Sequence, residues 1–359
     1  MRKNHSSVVL CLGIVLLLAW QVNASTTTIS LAETIELALQ ESIDRKIAEI
    51  EWENGKIAYQ KAMADNLLTQ STYNQGLAEL NLQKAEAAYK ERIAGVVISA
   101  LRHFTDVELA RMDLKIQEQQ LRLSEKALEL THRKVKAQNA SEYDLLQAEA
   151  ALAKSEISYQ KDKDSLEEKQ QAFYLLIGSD TMIPDGKLEY VPFAVELTRV
   201  LPEVLQSSVK LKETKDGLEL AKLDLERQLL EETADLLLRD ARNQVSLAEL
   251  KVEQAKTSIA QEVRLAFNAA KQAEQAYKAS CLSHELERKQ YQITKGQVEA
   301  GLKTEDDLLK AEISLWEAER SVYDAMTNQV IAYLQFDELI GKDVRTSQVL
   351  PPMNMEVDG

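Results

Sequence analysis

The chain has 359 residues, with 58 acidic against 43 basic side chains and a formal charge of −15. So negative a balance excludes nucleic acid and anionic membrane surfaces as partners. Cysteine occurs only twice, as Cys11 and Cys281, which excludes a disulfide framework, so stability must come from packed apolar surface.

Residues 1–24 read as a secretory signal peptide, the alternative being an uncleaved N-terminal anchor. Arg2 and Lys3 form a positive start, and Val8 to Trp20 form an apolar stretch too short to span a bilayer. Val22-Asn23-Ala24 offers a small-residue cleavage site before Ser25. Cys11 has no small residues before it, so it is not a lipid-attachment cysteine. Cleavage would remove two basic residues and leave 41 Lys+Arg against 58 Asp+Glu, a charge of −17. No later segment approaches the ~20 apolar residues that a transmembrane helix needs.

The five prolines fall at 184, 192, 202, 351 and 352. Proline inside a helix costs ~3 kcal/mol. Two proline-free tracts rich in Ala, Leu, Glu, Lys and Gln therefore read as long helices, 25–178 and 203–341, joined by a linker over 179–202 and followed by a tail over 342–359.

The two tracts are copies of one unit. Ser141-Glu142-Tyr143-Asp144-Leu145-Leu146-Gln147-Ala148-Glu149 aligns on Thr304-Glu305-Asp306-Asp307-Leu308-Leu309-Lys310-Ala311-Glu312 with an offset of 304 − 141 = 163. The same offset carries Leu176-Ile177-Gly178 onto Leu339-Ile340-Gly341, each glycine suiting a left-handed helix C-cap. Ile93-Ala94 pairs with Ile259-Ala260 at an offset of 166, which predicts a first copy three residues longer near its turn.

Heptad tracks describe the packing. Leu308, Leu315, Val322, Gln329 and Phe336 lie on one track of the second copy, with Ala311, Ala318, Ala325, Ala332 and Leu339 on the companion track. Leu145, Leu152, Tyr159, Leu166 and Phe173 form the matching track of the first. The helix before it carries two stripes: Val107, Leu114, Leu121, Leu128 and Val135, and Leu109, Ile116, Leu123, Leu130 and Ala137. Leu121 and Leu123 point ~200° apart, so this helix needs a neighbour on each side, as in a helical sheet or barrel wall. The expected fold is all-α, built of long antiparallel helical hairpins in two tandem repeats, with little or no β structure. So little depth in one chain predicts self-association.

With these residues in place the chain resembles the TolC family of outer-membrane efflux proteins over roughly Ile29 to Gly341. Ile29 to Leu39 looks like the family's opening helix, and Ser141–Glu149 and Gly301–Glu312 look like the helix-turn-helix segments of its two repeats. The resemblance implies a homotrimer enclosing an α-barrel, exported to the periplasm and associated with the outer membrane. It implies work beside a periplasmic adaptor and an inner-membrane transporter to export small molecules, with no catalytic residues and no cofactor. The adaptor-facing tip turns would be Asn139, Ala140 and Ser141 in the first repeat and Gly301, Leu302 and Thr304 in the second. Gly301-Leu302 is family-like, whereas the first turn has Asn-Ala. Independently of the family, Gly301 can supply a positive φ and Ser141 and Thr304 can cap the following helices. Asp306 and Asp307 would line a cation-favouring entrance.

The family inserts a β-hairpin between the first two long helices of each repeat. Here only Leu67 to Tyr73 hints at a strand, and it is too short; Leu225 to Leu250, with its many charges, reads as uninterrupted helix. Aromatics at 5% cannot furnish a girdle. A helical duct without its own membrane barrel is expected. The alternative is a non-conducting coiled-coil spacer or adaptor of the envelope, which a single seam per helix would favour.

No enzymatic site is legible. Glu129 and His132 have the Glu-x-x-His spacing of di-iron bundles but lack a second copy. Cys281 has no partner by spacing, and Trp52 and Trp316 fall on helical tracks as packing anchors. No metal or cofactor is expected.

Overall fold

The computed structural model describes residues 27–186, 188–231 and 234–352; the expected signal peptide, with Cys11, and the end of the tail lie outside them. Among the described residues eight α-helices follow a short strand: β1 (Thr27–Ile29), α1 (Leu31–Glu41), α2 (Ile43–Thr69), α3 (Thr72–Lys136), α4 (Glu142–Ile177), β2 (Met182–Pro184), α5 (Leu197–Ser207), α6 (Val209–Leu230), α7 (Asp235–Glu299) and α8 (Glu305–Leu339). A single 3-10 turn, Val344–Thr346, closes the described chain.

The two longest helices, α3 and α7, each have 65 residues, about 98 Å at 1.5 Å per residue. α4 packs on α3, α3 on α8, and α8 on α7, so four helices form a wall in the order α4–α3–α8–α7. α3 has a neighbour on each side, as its two stripes require. Ile116 and Leu123 pack with Leu309, Ile313 and Trp316 of α8. On the other side the Oγ atoms of Ser124 and Ser155 of α4 lie 2.8 Å apart.

The wall thickens at the half away from the tip turns. There α1 and α2 pack on α3, and α5 and α6 pack on α7. The principal core joins Ile35 and Leu39 of α1, Val97, Leu101 and Phe104 of α3, Phe173 of α4 and Leu334 of α8. Ser30 starts α1 with a capping box: its hydroxyl accepts from the Glu33 amide, and the Glu33 carboxylate accepts from the Ser30 amide. β1 and β2 pair in parallel, tying the start of the described chain to the segment that leaves α4.

The repeat is more regular than the sequence comparison predicts. α3 and α7 begin 235 − 72 = 163 residues apart and have equal length, so the first repeat is not longer near its tip turn. Core positions agree in that register: Val96 with Ile259, Ala100 with Val263, Val107 with Ala270. The Ile93/Ile259 match is three residues out of register. It arose because positions i and i+3 share one helical face and carry similar apolar residues. The three extra residues lie at the other end: α1 and α5 begin 197 − 31 = 166 residues apart, so the surplus falls in the hairpin of α2 and α3.

Two further expectations are corrected. Leu225 to Leu250 is not one helix: α6 ends at Leu230 and Ala234 leads into α7. Folding α6 back on α7 buries Leu211 with Val252, Ala255 and Ile259, a contact that a continuous helix would forgo. The stretch expected as linker is helical from Leu197, with Pro202 inside α5.

Candidate functional site

Both tip turns are built alike. α3 ends at Lys136, and Gln138 takes a left-handed φ of 60°; α7 ends at Glu299, and Gly301 takes a φ of 70°. The Gln138 amide donates to Val135 O (2.9 Å) and the Asn139 amide to Lys134 O (2.8 Å), while Gly301 donates to Val298 O (2.9 Å) and Leu302 to Gln297 O (2.8 Å). Each is a Schellman closure. The counterpart of Gly301-Leu302 is therefore Gln138-Asn139 rather than Asn-Ala.

Ser141 and Thr304 then restart the chain with capping boxes. The Ser141 hydroxyl accepts from the Asp144 amide (3.1 Å), and the Ser141 amide donates to Asp144 Oδ2 (2.8 Å). Thr304 and Asp307 repeat the arrangement at 3.2 and 3.0 Å. These hydrogen bonds hold the Asp144 and Asp307 carboxyls below the usual range, the backbone donor contributing most. Asp307 is thus a cap, and Asp306 pairs with Lys126 of α3 at 3.6 Å. Leu302 is exposed at the apex, and Asn139, Ala140 and Gly301 complete the two turns beside it.

Above the tip, polar links join the repeats across the α3–α8 seam. Gln120 donates to Glu317 (3.2 Å), and Arg320 to Asp113 (2.9 and 3.2 Å). Lys115 Nζ sits 3.7 Å from the ring centre of Trp316, giving that packing residue a cation–π partner. Glu129 pairs with Arg133 on its own helix, so the Glu129/His132 spacing organises no ligand set. Among the described residues no three His, Cys, Asp or Glu side chains converge as a metal site.

The edges of the wall are unfinished. On α4, Tyr143, Leu146 and Ile157 are exposed on one face; on α7, Leu265, Leu282, Leu286 and Ile293 are exposed. Those α4 residues fall off the one heptad track picked out for this helix in the sequence, which faces inward, so nothing in the seam pattern marked them. Their signal was a second, weaker stripe at Tyr143, Leu146, Ala150, Ala153 and Ile157.

Between α2 and α3 the chain makes a tight turn without a strand. Gln70 takes a left-handed φ of 46°, and the Asn66 side chain clasps Ser71, accepting from its amide and donating to its carbonyl, both at 2.9 Å. The only strands among the described residues are β1 and β2, three residues each.

Residues 234–342, which comprise α7, its tip turn and α8, match the outer membrane efflux protein family. About nine-tenths of the chain superposes on solved bacterial membrane proteins. The outer membrane protein VceC from Vibrio cholerae has a TM-score of 0.60 at 13% identity, covering 88% of this chain and 96% of that one. A membrane protein from Pseudomonas aeruginosa has 0.58 at 14%, covering 91% and 94%. The CmeC outer membrane channel of Campylobacter jejuni has 0.57 at 13%, covering 87% and 85%. The chain has the TolC-type fold. Comparison with curated proteins finds no match. Among its described residues the chain has long helical hairpins and two strands of three residues each.

Proposed function

We propose that three copies of this chain close edge to edge into an α-helical duct, α4 of each copy lying against α7 of the next. The duct serves as an envelope efflux conduit for small molecules. The observation that carries this reading is the wall itself: four helices in the order α4–α3–α8–α7, with apolar stripes bare on both outermost helices. Those helices run in opposite directions from the tip, so a second copy meets the first in the antiparallel sense that already packs α3 on α4. Bare stripes on the outer helices of a long wall disfavour a two-stranded spacer rod, which would bury its single seam within a pair.

In this reading the chain performs no chemistry. Two repeats, 25–178 and 203–341, supply the wall, and the tip turns with Asn139, Ala140, Ser141, Gly301, Leu302 and Thr304 meet a periplasmic adaptor coupled to an inner-membrane transporter. Asp306 and Asp307 add negative charge near the entrance, one already paired with Lys126. The duct stands in the periplasm at the outer membrane.

Cross-linking tests the arrangement. Leu146→Cys with Ile293→Cys, in a Cys281→Ser background, should oxidise to covalent trimers. A ladder that stops at dimers, or no cross-link at all, overturns the closed duct. Loss of the gene should sensitise cells to exported compounds, and unchanged export of every compound tested overturns the efflux role.

A further inference from the structure

We infer that Glu108, with Arg111, Asp185 and Tyr323 around it, is a proton-operated latch: taking up a proton fastens the segment between α4 and α5 more tightly across the seam of the two repeats. That segment, described over 182–186 and 188–193, is a strap lying over three helices of the wall. Arg111 of α3 donates to the Pro184 carbonyl at 2.7 Å, and Gln329 of α8 donates to the Val191 carbonyl at 2.9 Å. The Tyr190 hydroxyl donates to Glu274 of α7 at 2.7 Å. Phe193 then packs among Phe267, Tyr333 and Phe336. α3 belongs to the first repeat and α7 and α8 to the second, so the strap ties one repeat to the other.

Glu108 sits where the strap first meets the wall. A Cβ on Gly186 would stand 3.5 Å from the Phe104 ring, one turn of α3 before Glu108, and Arg111 holds Pro184 just after it. Strap residues 184–186 therefore lie along the turn that carries the carboxyl. Three groups face that carboxyl: Arg111 from its own helix, Asp185 from the strap and Tyr323 from α8. Tyr323 is 8% exposed, and its hydroxyl has no hydrogen-bond partner. Arg111 is a branch point, because its Nη1 serves both the Glu108 carboxylate and the strap carbonyl.

The direction of the latch follows from which groups leave with the strap. Burial pushes the Glu108 carboxyl up most, Arg111 opposes and Asp185 adds to the rise. When the strap lifts, Arg111 stays beside Glu108 on α3, while Asp185 and part of the cover depart. The carboxyl then becomes more acidic, because the attraction that favours its charge remains and the influences that disfavour it weaken. Protons favour the state that binds them more tightly, so acid closes the latch and neutral pH loosens it. Ionised Glu108 repels Asp185 and competes with Pro184 for Arg111. Once protonated, it releases Arg111 to the strap and carries an O–H into a cluster where the Tyr323 hydroxyl lacks a partner.

Hydrogen exchange of the full chain, read on the stretch 182–186 and corrected for the intrinsic rate, tests the inference. The Asp185 amide, which donates to the Ile29 carbonyl at 3.0 Å, reports closure directly. Wild-type protection should rise by roughly threefold to tenfold from pH 7.5 to 4.5, with the Gly301 turn as internal reference. Glu108→Gln should show the protected level at both pH values. Asp185→Asn should be better protected than wild type at pH 7.5 and respond less to acid. Both substitutions keep the side chain's size, and circular dichroism confirms the helices. Wild-type protection that stays flat or falls on acidification overturns the inference, as does the full wild-type response in either variant. The latch works within one chain and needs neither trimer nor pump, so it stands or falls separately from the cross-linking and export tests.

Discussion

Arg320 of α8 holds Asp113 of α3 with two hydrogen bonds, from Nε to Oδ1 at 2.9 Å and from Nη2 to Oδ2 at 3.2 Å. The residues are 207 positions apart and belong to different repeats. This two-pronged pair fixes the register of the inter-repeat seam, beside the Lys115–Trp316 contact. Both side chains are about one-third exposed, so solvent weakens the pair. A double-mutant cycle on Arg320→Ala and Asp113→Ala should give a coupling of about 0.5–1 kcal/mol in urea unfolding. A coupling of zero would show that the apolar seam alone sets the register.

The Asn66 clasp predicts a larger effect at the opposite end. Its amide satisfies both backbone groups of Ser71 and is buried. Asn66→Ala leaves that donor and acceptor without their partner in a two-residue turn. We expect a loss of about 1–3 kcal/mol, with faster hydrogen exchange confined to the ends of α2 and α3. Exchange unchanged at those ends would mean that packing holds the turn.

At Gly55 α2 comes close to α3. A Cβ there would stand 2.6 Å from Ala85 Cβ, and an alanine methyl has no rotamer to yield. Gly55→Ala should therefore destabilise by about 1–3 kcal/mol through overpacking, despite the better helix propensity of alanine. Gly217 in α6 has open space around it, so Gly217→Ala should stabilise by about 0.5–1 kcal/mol. Opposite signs in thermal melts are the expected result; two stabilised variants would show that α2 can move off α3.

The tip turns make a paired prediction. Gln138 and Gly301 hold equivalent left-handed positions, and Gly301 has nothing within 4 Å of its would-be Cβ. Gln138→Gly should relieve strain and stabilise, and Gly301→Ala should destabilise, each by about 1 kcal/mol. Both effects come from the backbone, so Tm should shift in opposite directions while the circular dichroism spectrum stays the same.

Glu108 supplies a pH dependence. Burial pushes its carboxyl above the usual 4.5, with Arg111 opposing and Asp185 adding to the rise. Arg111 also donates to the Pro184 carbonyl at 2.7 Å, fastening the β2 segment to α3. A carboxyl raised in the folded state contributes stability that is fully present below its unfolded pKa and lost as pH rises through its folded value. Glu108→Gln should thus be neutral or stabilising at pH 7.5, and its advantage should shrink as pH falls toward 4.5. Melting curves across that range check the sign; an advantage that grows on acidification would mean that the ion pair to Arg111 outweighs burial.

Helix, repeat and tip were legible in the residues because each has a local cause. Heptad spacing put Ile116 and Leu123 on one side of α3 and Leu121 and Leu128 on another, and helical geometry then demanded two neighbours. Ser141 and Thr304 suited N-caps by residue type, and Gly301 suited a positive φ; the role of Asp144 and Asp307 in the capping boxes came from the fold. The Gln138 turn was less visible, because glutamine carries no preference for a left-handed φ and only the Schellman hydrogen bonds reveal it.

What depended on distant contacts had to come from the fold. The break between α6 and α7 follows from burial of Leu211 against Ile259, not from any strong breaker between 225 and 250. The true register of the repeats depended on which of several equivalent apolar stripes met which. The α3–α8 seam, which joins the two hairpins into the order α4–α3–α8–α7 and leaves the edges bare, is decided by packing between residues about two hundred positions apart. By itself the sequence determined that the chain is a twice-repeated helical hairpin, since periodicity and capping act within a few residues. Only the tertiary structure decided which faces are buried within one chain and which stay exposed, because burial is a property of the assembled surface.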